Sequence, residues 1–503
     1  MLKRTRSFLV LVMLLMTVTM SAQVTTATMS GKVTAQDEPI IGATIVAIHE
    51  PSGTRYGTVT NVSGQFNLQG MRTGGPYKVE ISYVGYQTAI YKGINLLLGE
   101  NYVLNVSLKE SSELLDEVVV TASKESNMKS DRAGAIMNAN RDMISNTPTI
   151  SRSISDIMRL SPQGADVGNG FAVGGGNYRQ SFVTVDGAAF NNTFGLGGNL
   201  PANGSPISLD ALEQVTVAVT PFDVRQSGFT GGAINAVTRS GDNQFRGTAY
   251  MYFNNENLKG SKVDDYELLR SKAQYYTYGA SFGGPIIKDK LFFFVNGEYE
   301  DNVTAGSNYR PRTALGESYS GGNIHRPLQS DMDDMRGFLL NKYNFDPGKY
   351  NDYSTDTPAY RVMARVDWNA NQNNKVSFRF TKTHTKDSNF PTSSVSPLST
   401  SALYPGGTST EVIDGKPVGT IAPGQGRTSK YALSFSNSNY YQVRDFTSVA
   451  GEWNSRMAQG AMNNMLRFAY SYQDEPRSFD GPLFPTVDIL QDLSLIHISE
   501  PTR

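Results

Sequence analysis

From residue 245 onward the chain alternates apolar and polar side chains with a period of two. Between Phe245 and Phe253 one face carries Phe245, Gly247, Ala249, Met251 and Phe253, and the other Arg246, Thr248, Tyr250 and Tyr252. Tyr360, Val362, Ala364, Val366 and Trp368 alternate in the same way with Arg361, Met363, Arg365, Asp367 and Asn369. The pattern recurs at 275–283, 291–299, 375–381, 431–436, 449–453 and 466–473, which makes eight expected strands. A soluble sandwich with one wet face would show the same period, but segments of about ten residues with apolar-out, polar-in faces are the mark of a transmembrane β-barrel. Connection lengths favour the barrel: 282–290 reads as a tight turn, whereas 301–358 and 389–429 are long and polar. Short turns at one end and long loops at the other are the barrel asymmetry.

Upstream, residues 24–110 carry short alternating runs at 40–48, 64–68 and 77–86, separated by turn signals such as Pro51-Ser52-Gly53 and Thr73-Gly74-Gly75-Pro76. That spacing predicts a small all-β sandwich. The texture between 117 and 239 is rich in Gly, Asn and Ser. Here a short helix is expected over 151–160, with Ile154, Ile157, Met158 and Leu160 on one face and Ser161-Pro162 as its stop. Residues 182–187 read as a strand entering a glycine turn, and 207–217 as a helical turn feeding a strand. The Gly228–Arg239 cluster is not a nucleotide loop, because strand patterns rather than a βαβ unit follow it.

The N-terminus supplies a destination. Lys3, Arg4 and Arg6 precede an apolar run from Phe8 to Met20, and the small residues Ser21 and Ala22 follow. This is a secretory signal occupying 1–22, since the run falls short of the roughly 20 residues of a membrane-spanning helix. No later stretch is uniformly apolar for that length. With 45 basic and 46 acidic residues, the chain lacks the basic excess that nucleic acid would demand. It has no cysteine, and its 48 Gly, 26 Tyr and 24 Phe suit many strands, tight turns and membrane-interface aromatics.

One further segment has chemistry of its own. Leu115-Asp116-Glu117-Val118-Val119-Val120-Thr121-Ala122 combines an acidic pair with a β-branched run, and sits between the sandwich and the Gly-rich region. Such a run reads either as an ordinary buried strand or as a docking strand that adds to an exposed sheet edge by main-chain hydrogen bonds. A zinc peptidase would need clustered His and carboxylate ligands. The four histidines, His49, His325, His384 and His497, are dispersed and lie outside any H-E-x-x-H context. No catalytic or metal-binding residue is assigned, and no cofactor is expected.

These parts, in this order, resemble a TonB-dependent outer-membrane receptor. The wording at 31–88 resembles a carboxypeptidase regulatory-like domain, an immunoglobulin-like fold. Val183-Thr184-Val185-Asp186-Gly187, the ISLDALEQVTV run at 207–217 and GFTGGAINAVTRSG at 228–241 resemble plug motifs of that family. FGGPIIKDKLFFFVNGEYE at 282–300 is similar to the Oar-like subgroup, whose members carry the N-terminal sandwich. The resemblance implies a mainly β fold: an immunoglobulin-like sandwich over 23–110, a TonB box at 115–122, a small α+β plug over 123–240, and over 241–492 the first part of an antiparallel transmembrane barrel of about 22 strands. It assigns Asp116, Glu117, Val118, Val119, Val120, Thr121 and Ala122 to binding the periplasmic domain of TonB, energised by ExbB and ExbD. Outer-membrane lipid and an unidentified imported ligand complete the implied partners, with the sandwich and box in the periplasm. Substrate-binding residues and any lipoprotein partner stay unassigned. The alternatives are a surface protein for adhesion or secretion that does not use TonB, and an envelope peptidase.

The last eleven residues, 493–503, resemble the conceptual translation of a transposon sequencing adapter. Native sequence is therefore expected to end near Asp492 and the barrel to be incomplete. An open sheet leaves edge N–H and C=O groups unpaired in lipid, so this chain alone is expected to aggregate rather than insert.

Overall fold

A computed structural model of the chain describes residues 24–497, apart from 111–117, 122–135, 193–197, 220–225, 268–271, 392–410, 419–429, 458–461 and shorter breaks. The signal segment at 1–22 lies outside the described residues. Three bodies follow one another along the chain.

The first is a two-sheet sandwich. In one sheet β1 (Ala27–Ala35) pairs antiparallel with β2 (Glu38–Pro39) and β5 (Gln65–Met71), and parallel with β8 (Asn101–Val103) and β9 (Val106–Ser107). The other sheet runs in the order β10 (Val118–Thr121), β7 (Ala89–Leu96), β6 (Gly74–Ser82), β3 (Thr44–His49), β4 (Thr54–Val59). Alternate residues point inward, as the strand period demands. Ile45 and Ala47 of β3, Phe66 and Leu68 of β5, and Val79 and Ile81 of β6 form one buried core. Two strands expected too long or not at all have local explanations. The run at 40–48 becomes strand at Thr44, because Gly42 turns the backbone at φ +79 and the Thr60 hydroxyl ties Ala43 N to Ile40 O; Ile41 is left exposed. β7 has a broken pattern because Gly93 interrupts it at φ +77.

The second body is a small mixed domain. Its five-stranded sheet runs β11 (Ile136–Ala139), β16 (Leu212–Ala218), β17 (Ala233–Thr238), β14 (Phe182–Val185), β15 (Ala188–Ala189). Two short helices, α1 (Arg141–Asn146) and α2 (Ile154–Met158), and a ribbon of β12 (Gly164–Asp166) with β13 (Phe171–Val173) complete it. Ile154, Ile157 and Met158 are buried against Val215, Val217 and Ile234. Leu160 is not on that face: the helix ends at Met158 and Leu160 is exposed.

The third body is a curved antiparallel meander of long strands: β18 (Arg246–Asn255), β19 (Gln274–Ile287), β20 (Leu291–Ala305), β21 (Ala359–Asn369), β22 (Asn374–Asn389), β23 (Tyr440–Met457) and β24 (Met462–Asp474). The sheet is mostly β, antiparallel and not closed. It wraps the second body, whose core continues into Phe294, Met363, Phe446 and Ala450 of the wall. Outward positions are apolar and exposed, among them Phe245, Met251, Val362, Trp368, Phe468 and Tyr470. Inward positions such as Arg361, Thr383 and Ser448 are buried and polar. No helix among the described residues is long and apolar enough to cross a membrane.

One expected strand is corrected. Residues 431–436 do not enter the meander; Leu433 and Phe435 are buried beside Met332 and Leu339 of helix α3 (Gln329–Tyr343). The period-two pattern was real but was used for packing inside a loop region. Links 288–290 and 370–373 are short, while 306–358 and 390–439 are long and carry α3 and this cluster.

Candidate functional site

The β-branched segment forms β10, and it is already paired. Val118, Val119, Val120 and Thr121 lie in parallel register with Ala89, Ile90, Tyr91 and Lys92 of β7. Without it β7 would be the sheet edge, with a row of open N–H and C=O groups. Asp116, Glu117 and Ala122 lie outside the described residues. The sequence identified a segment able to add to an edge; it did not identify the sandwich itself as an edge that receives it.

The plug is fastened to the barrel wall by three charged clusters, each built from a plug loop and inward-facing strand residues. In the first, Arg361 donates to Glu298 at 3.1 Å, Glu300 at 2.7 Å and the Ser205 carbonyl at 2.5 Å. Glu298 also accepts from Ser208 Oγ at 2.9 Å and from Tyr250 at 2.6 Å, while Arg152 lies 4.1 Å from the Tyr252 ring centroid. In the second, Asp210 accepts from Arg141 at 2.7 Å and Thr248 at 2.7 Å, with Arg239 at 3.4 Å. Burial would push the Asp210 carboxyl up, but hydrogen bonds from Ser281, Thr248 and Arg141 and the Arg239 charge hold it below the usual range. In the third, Asp186 accepts from Thr238 N at 3.0 Å and its hydroxyl at 2.6 Å and faces Arg365 at 3.3 Å and Arg379 at 3.7 Å. Arg365 in turn forks onto Asp367, which also accepts from Ser240. Charges at such depth persist when paired and hydrogen-bonded. Asp186, Asp210 and Arg239 all fall inside sequence motifs noted above; their wall partners, Thr248 of β18, Ser281 of β19, Arg365 of β21 and Arg379 of β22, are visible in sequence only as polar or charged residues on the inward faces of those strands.

The sandwich sits on the short-turn end of the barrel. Arg72 donates to the Gly241 carbonyl at 3.1 Å, Asn243 N to the Pro51 carbonyl at 2.9 Å, and Asn369 Nδ2 to Thr54 Oγ1 at 2.9 Å. Lys375 reaches the Arg55 carbonyl at 3.3 Å and lies 3.9 Å from the Tyr56 ring centroid. Thr25 Oγ1 bonds Glu452 at 2.5 Å and accepts from Arg467. Between sandwich, plug and wall lies a cavity of about 260 Å³ whose lining includes Arg72, Asp186, Thr238, Arg365, Asp367 and Glu452.

His49, His325 and His384 lie in three separate places. His49 bonds Ser52 Oγ at 2.7 Å inside the sandwich, His325 bonds the Ala432 carbonyl at 2.7 Å, and His384 faces Asp445 at 3.2 Å. Among the described residues no three His, Cys, Asp or Glu side chains converge as a metal site would require.

Residues 28–109 match the family described as carboxypeptidase regulatory-like domain, and residues 237–414 match outer membrane beta barrel domain. The chain thus carries a carboxypeptidase regulatory-like domain followed by a segment that matches an outer membrane beta barrel domain. Two relatives that it matches are named as a TonB-dependent transporter and a TonB-dependent receptor, and the chain matches under a quarter of the length of each. It is 27% identical over 256 residues to the TonB-dependent transporter Oar of Myxococcus xanthus, covering 50% of this chain and 22% of that one. It is 29% identical over 269 residues to the TonB-dependent receptor SusC of Bacteroides thetaiotaomicron, covering 50% of this chain and 24% of that one. Among solved structures, the outer membrane transporter YddB from Escherichia coli aligns with a TM-score of 0.42 at 11% identity, over 67% of this chain and 38% of that one.

Proposed function

We propose that the chain is part of a transporter that imports an unidentified ligand across the outer membrane, energised through TonB, ExbB and ExbD. In this reading the short turns and the sandwich face the periplasm, and the long loops face the exterior. Ligand binds at the loops and the outer surface of the plug, and TonB pulls on the segment Asp116, Glu117, Val118, Val119, Val120, Thr121, Ala122. The observation that carries the reading is the position of this strand-forming segment, between the sandwich and a plug that fills the concave face of an outer-membrane sheet. Force on such a strand can release part of a plug at far less cost than unfolding the barrel, because local opening draws on the low-stability end of a structure. The plug is held to the wall by discrete polar clusters together with the apolar contacts of Phe294, Met363, Phe446 and Ala450.

The test is binding of the periplasmic domain of TonB to residues 24–239, with and without Val119→Pro. Proline removes a backbone donor and should interrupt strand addition. Binding that is lost in the variant supports the reading. Import that survives Val119→Pro in the complete protein would overturn it and favour an adhesion or secretion barrel that does not use TonB.

A further inference from the structure

β10 has two edges, and β7 occupies one of them. Among the described residues it is the terminal strand of the order β10-β7-β6-β3-β4, with no strand on its outer edge. A partner strand has two ways to engage it. Stripping β10 from β7 would forfeit the existing ladder and expose β7 as an open edge; adding to the outer edge forfeits nothing. We propose that the TonB strand adds to the outer edge of β10 while the inner edge stays on β7. Sandwich, box and TonB then form one continuous sheet, and the sandwich is the first body to be pulled. The inference rests on the coupling reading of the box given above.

Two further observations give the arrangement mechanical sense. The sandwich roofs the cavity over the plug latches, with Arg72, Thr54 and Thr25 bonded to residues of the plug–barrel junction or wall. Anything passing the plug on this side meets the sandwich. The 14 residues from 122 to 135 separate β10 from the first plug strand. Fully extended they reach about 50 Å. A load applied through β10 and β7 acts directly on the sandwich and on the bonds that seat it at the mouth. The seat is a set of single hydrogen bonds to backbone carbonyls, hydroxyls, an amide oxygen and a carboxylate, with the Lys375 ammonium over the Tyr56 ring and a small apolar contact of Val24 and Leu98 on Val237.

Amide hydrogen exchange on the complete receptor in detergent, with and without the purified periplasmic domain of TonB, distinguishes the two modes. The expected result is added protection at Val118–Thr121 with protection at residues 89–92 of β7 retained. Loss of protection at 89–92 on binding would overturn the continuous sheet and leave the coupling reading standing. No binding and no change at the box would overturn both. A second arm locks the strands: the chain contains no cysteine, so Thr121→Cys with Lys92→Cys, register partners across β10 and β7, gives a single cross-link. The locked receptor is expected to bind TonB within about threefold of the reduced one. A loss of tenfold or more, restored by reduction, would show that the box must leave β7.

Discussion

Arg361 and His49 illustrate how single side chains set the behaviour of the plug and of the sandwich. Arg361 is buried between Glu298, Glu300 and the Ser205 carbonyl, so it neutralises two wall carboxylates and fastens a plug loop at once. Replacing it with Met leaves two carboxylates facing each other at low exposure. Breaking a buried pair in this way costs roughly 3–5 kcal/mol. Arg361→Met should therefore lower the urea concentration at which the plug becomes protease-sensitive, and Arg361→Lys, which keeps the charge but not the fork, should fall between. An unchanged midpoint would mean that the latch contributes nothing to plug retention. His49 acts through protons. Burial, aided by the Arg72 charge, pushes its pKa well below 6.5. Above pH 6.5 folded and unfolded chains are both neutral at this site. Below it the unfolded chain takes up a proton that the folded one refuses, so stability falls with pH until the folded pKa is reached. Because His49 bonds Ser52, which bonds Thr54, which accepts from Asn369 of the wall, the same titration weakens the seat. The sandwich should melt at lower temperature at pH 5 than at pH 7.5, and His49→Gln should flatten that difference.

At the level of strands, β18 and β19 show how tightly the wall is fitted to the plug. Tyr250 of β18 lies in register with Gly279 of β19, and a Cβ at Gly279 would come within 2.1 Å of the Tyr250 ring. The ring is held there by Ser208 at 3.1 Å and Glu298 at 2.6 Å. Gly279→Val should displace Tyr250 from both and cost about 1–3 kcal/mol as overpacking does, read as earlier proteolysis of the plug on heating. Gly297→Ala, where a Cβ would meet nothing within 4 Å, is the control and should be near neutral. This fit was not legible in the sequence, whereas the strands themselves were. Period two is written residue by residue wherever one face meets lipid and the other a polar lumen, which is why β18 to β22 and the centres of β23 and β24 could be read directly. The same period misled at 431–436, where alternate residues bury into a loop cluster instead. β1 and β7 were missed because Gly31 and Gly93 dilute their pattern; Gly31 is required by the close approach of the Leu104 carbonyl, 1.8 Å from where a Cβ would stand. For the candidate site, the β-branched run of β10 was visible, but its partner β7 was not, since pairing register is a tertiary property that a four-residue strand does not encode by itself.

On the scale of the whole molecule, what matters is that the sandwich, plug and wall meet at one polar seam. Their cores are separate, one inside the sandwich and another shared by plug and wall. A seam between separate cores that relies on hydrogen bonds behaves like a transient interface, so relative motion is the default expectation. Its strength can be taken apart one bond at a time. Arg72→Ala removes the bond to Gly241, Asn369→Ala the bond to Thr54, and Glu452→Ala the bond from Thr25. Each loss is worth about 0.5–1.5 kcal/mol. The three sites share no hydrogen-bond partner among these contacts, so the effects should add to roughly 1.5–4.5 kcal/mol. That is at least about a tenfold gain in the undocked population. Spin labels at Val84→Cys, on the exposed outer turn of the sandwich, and Lys288→Cys, in a short barrel turn, would report it as a second, longer distance. If the triple variant keeps one distance distribution, the sandwich is fixed to the mouth by more than this seam, and a pull on β10 would have to act on the plug with the sandwich still in place.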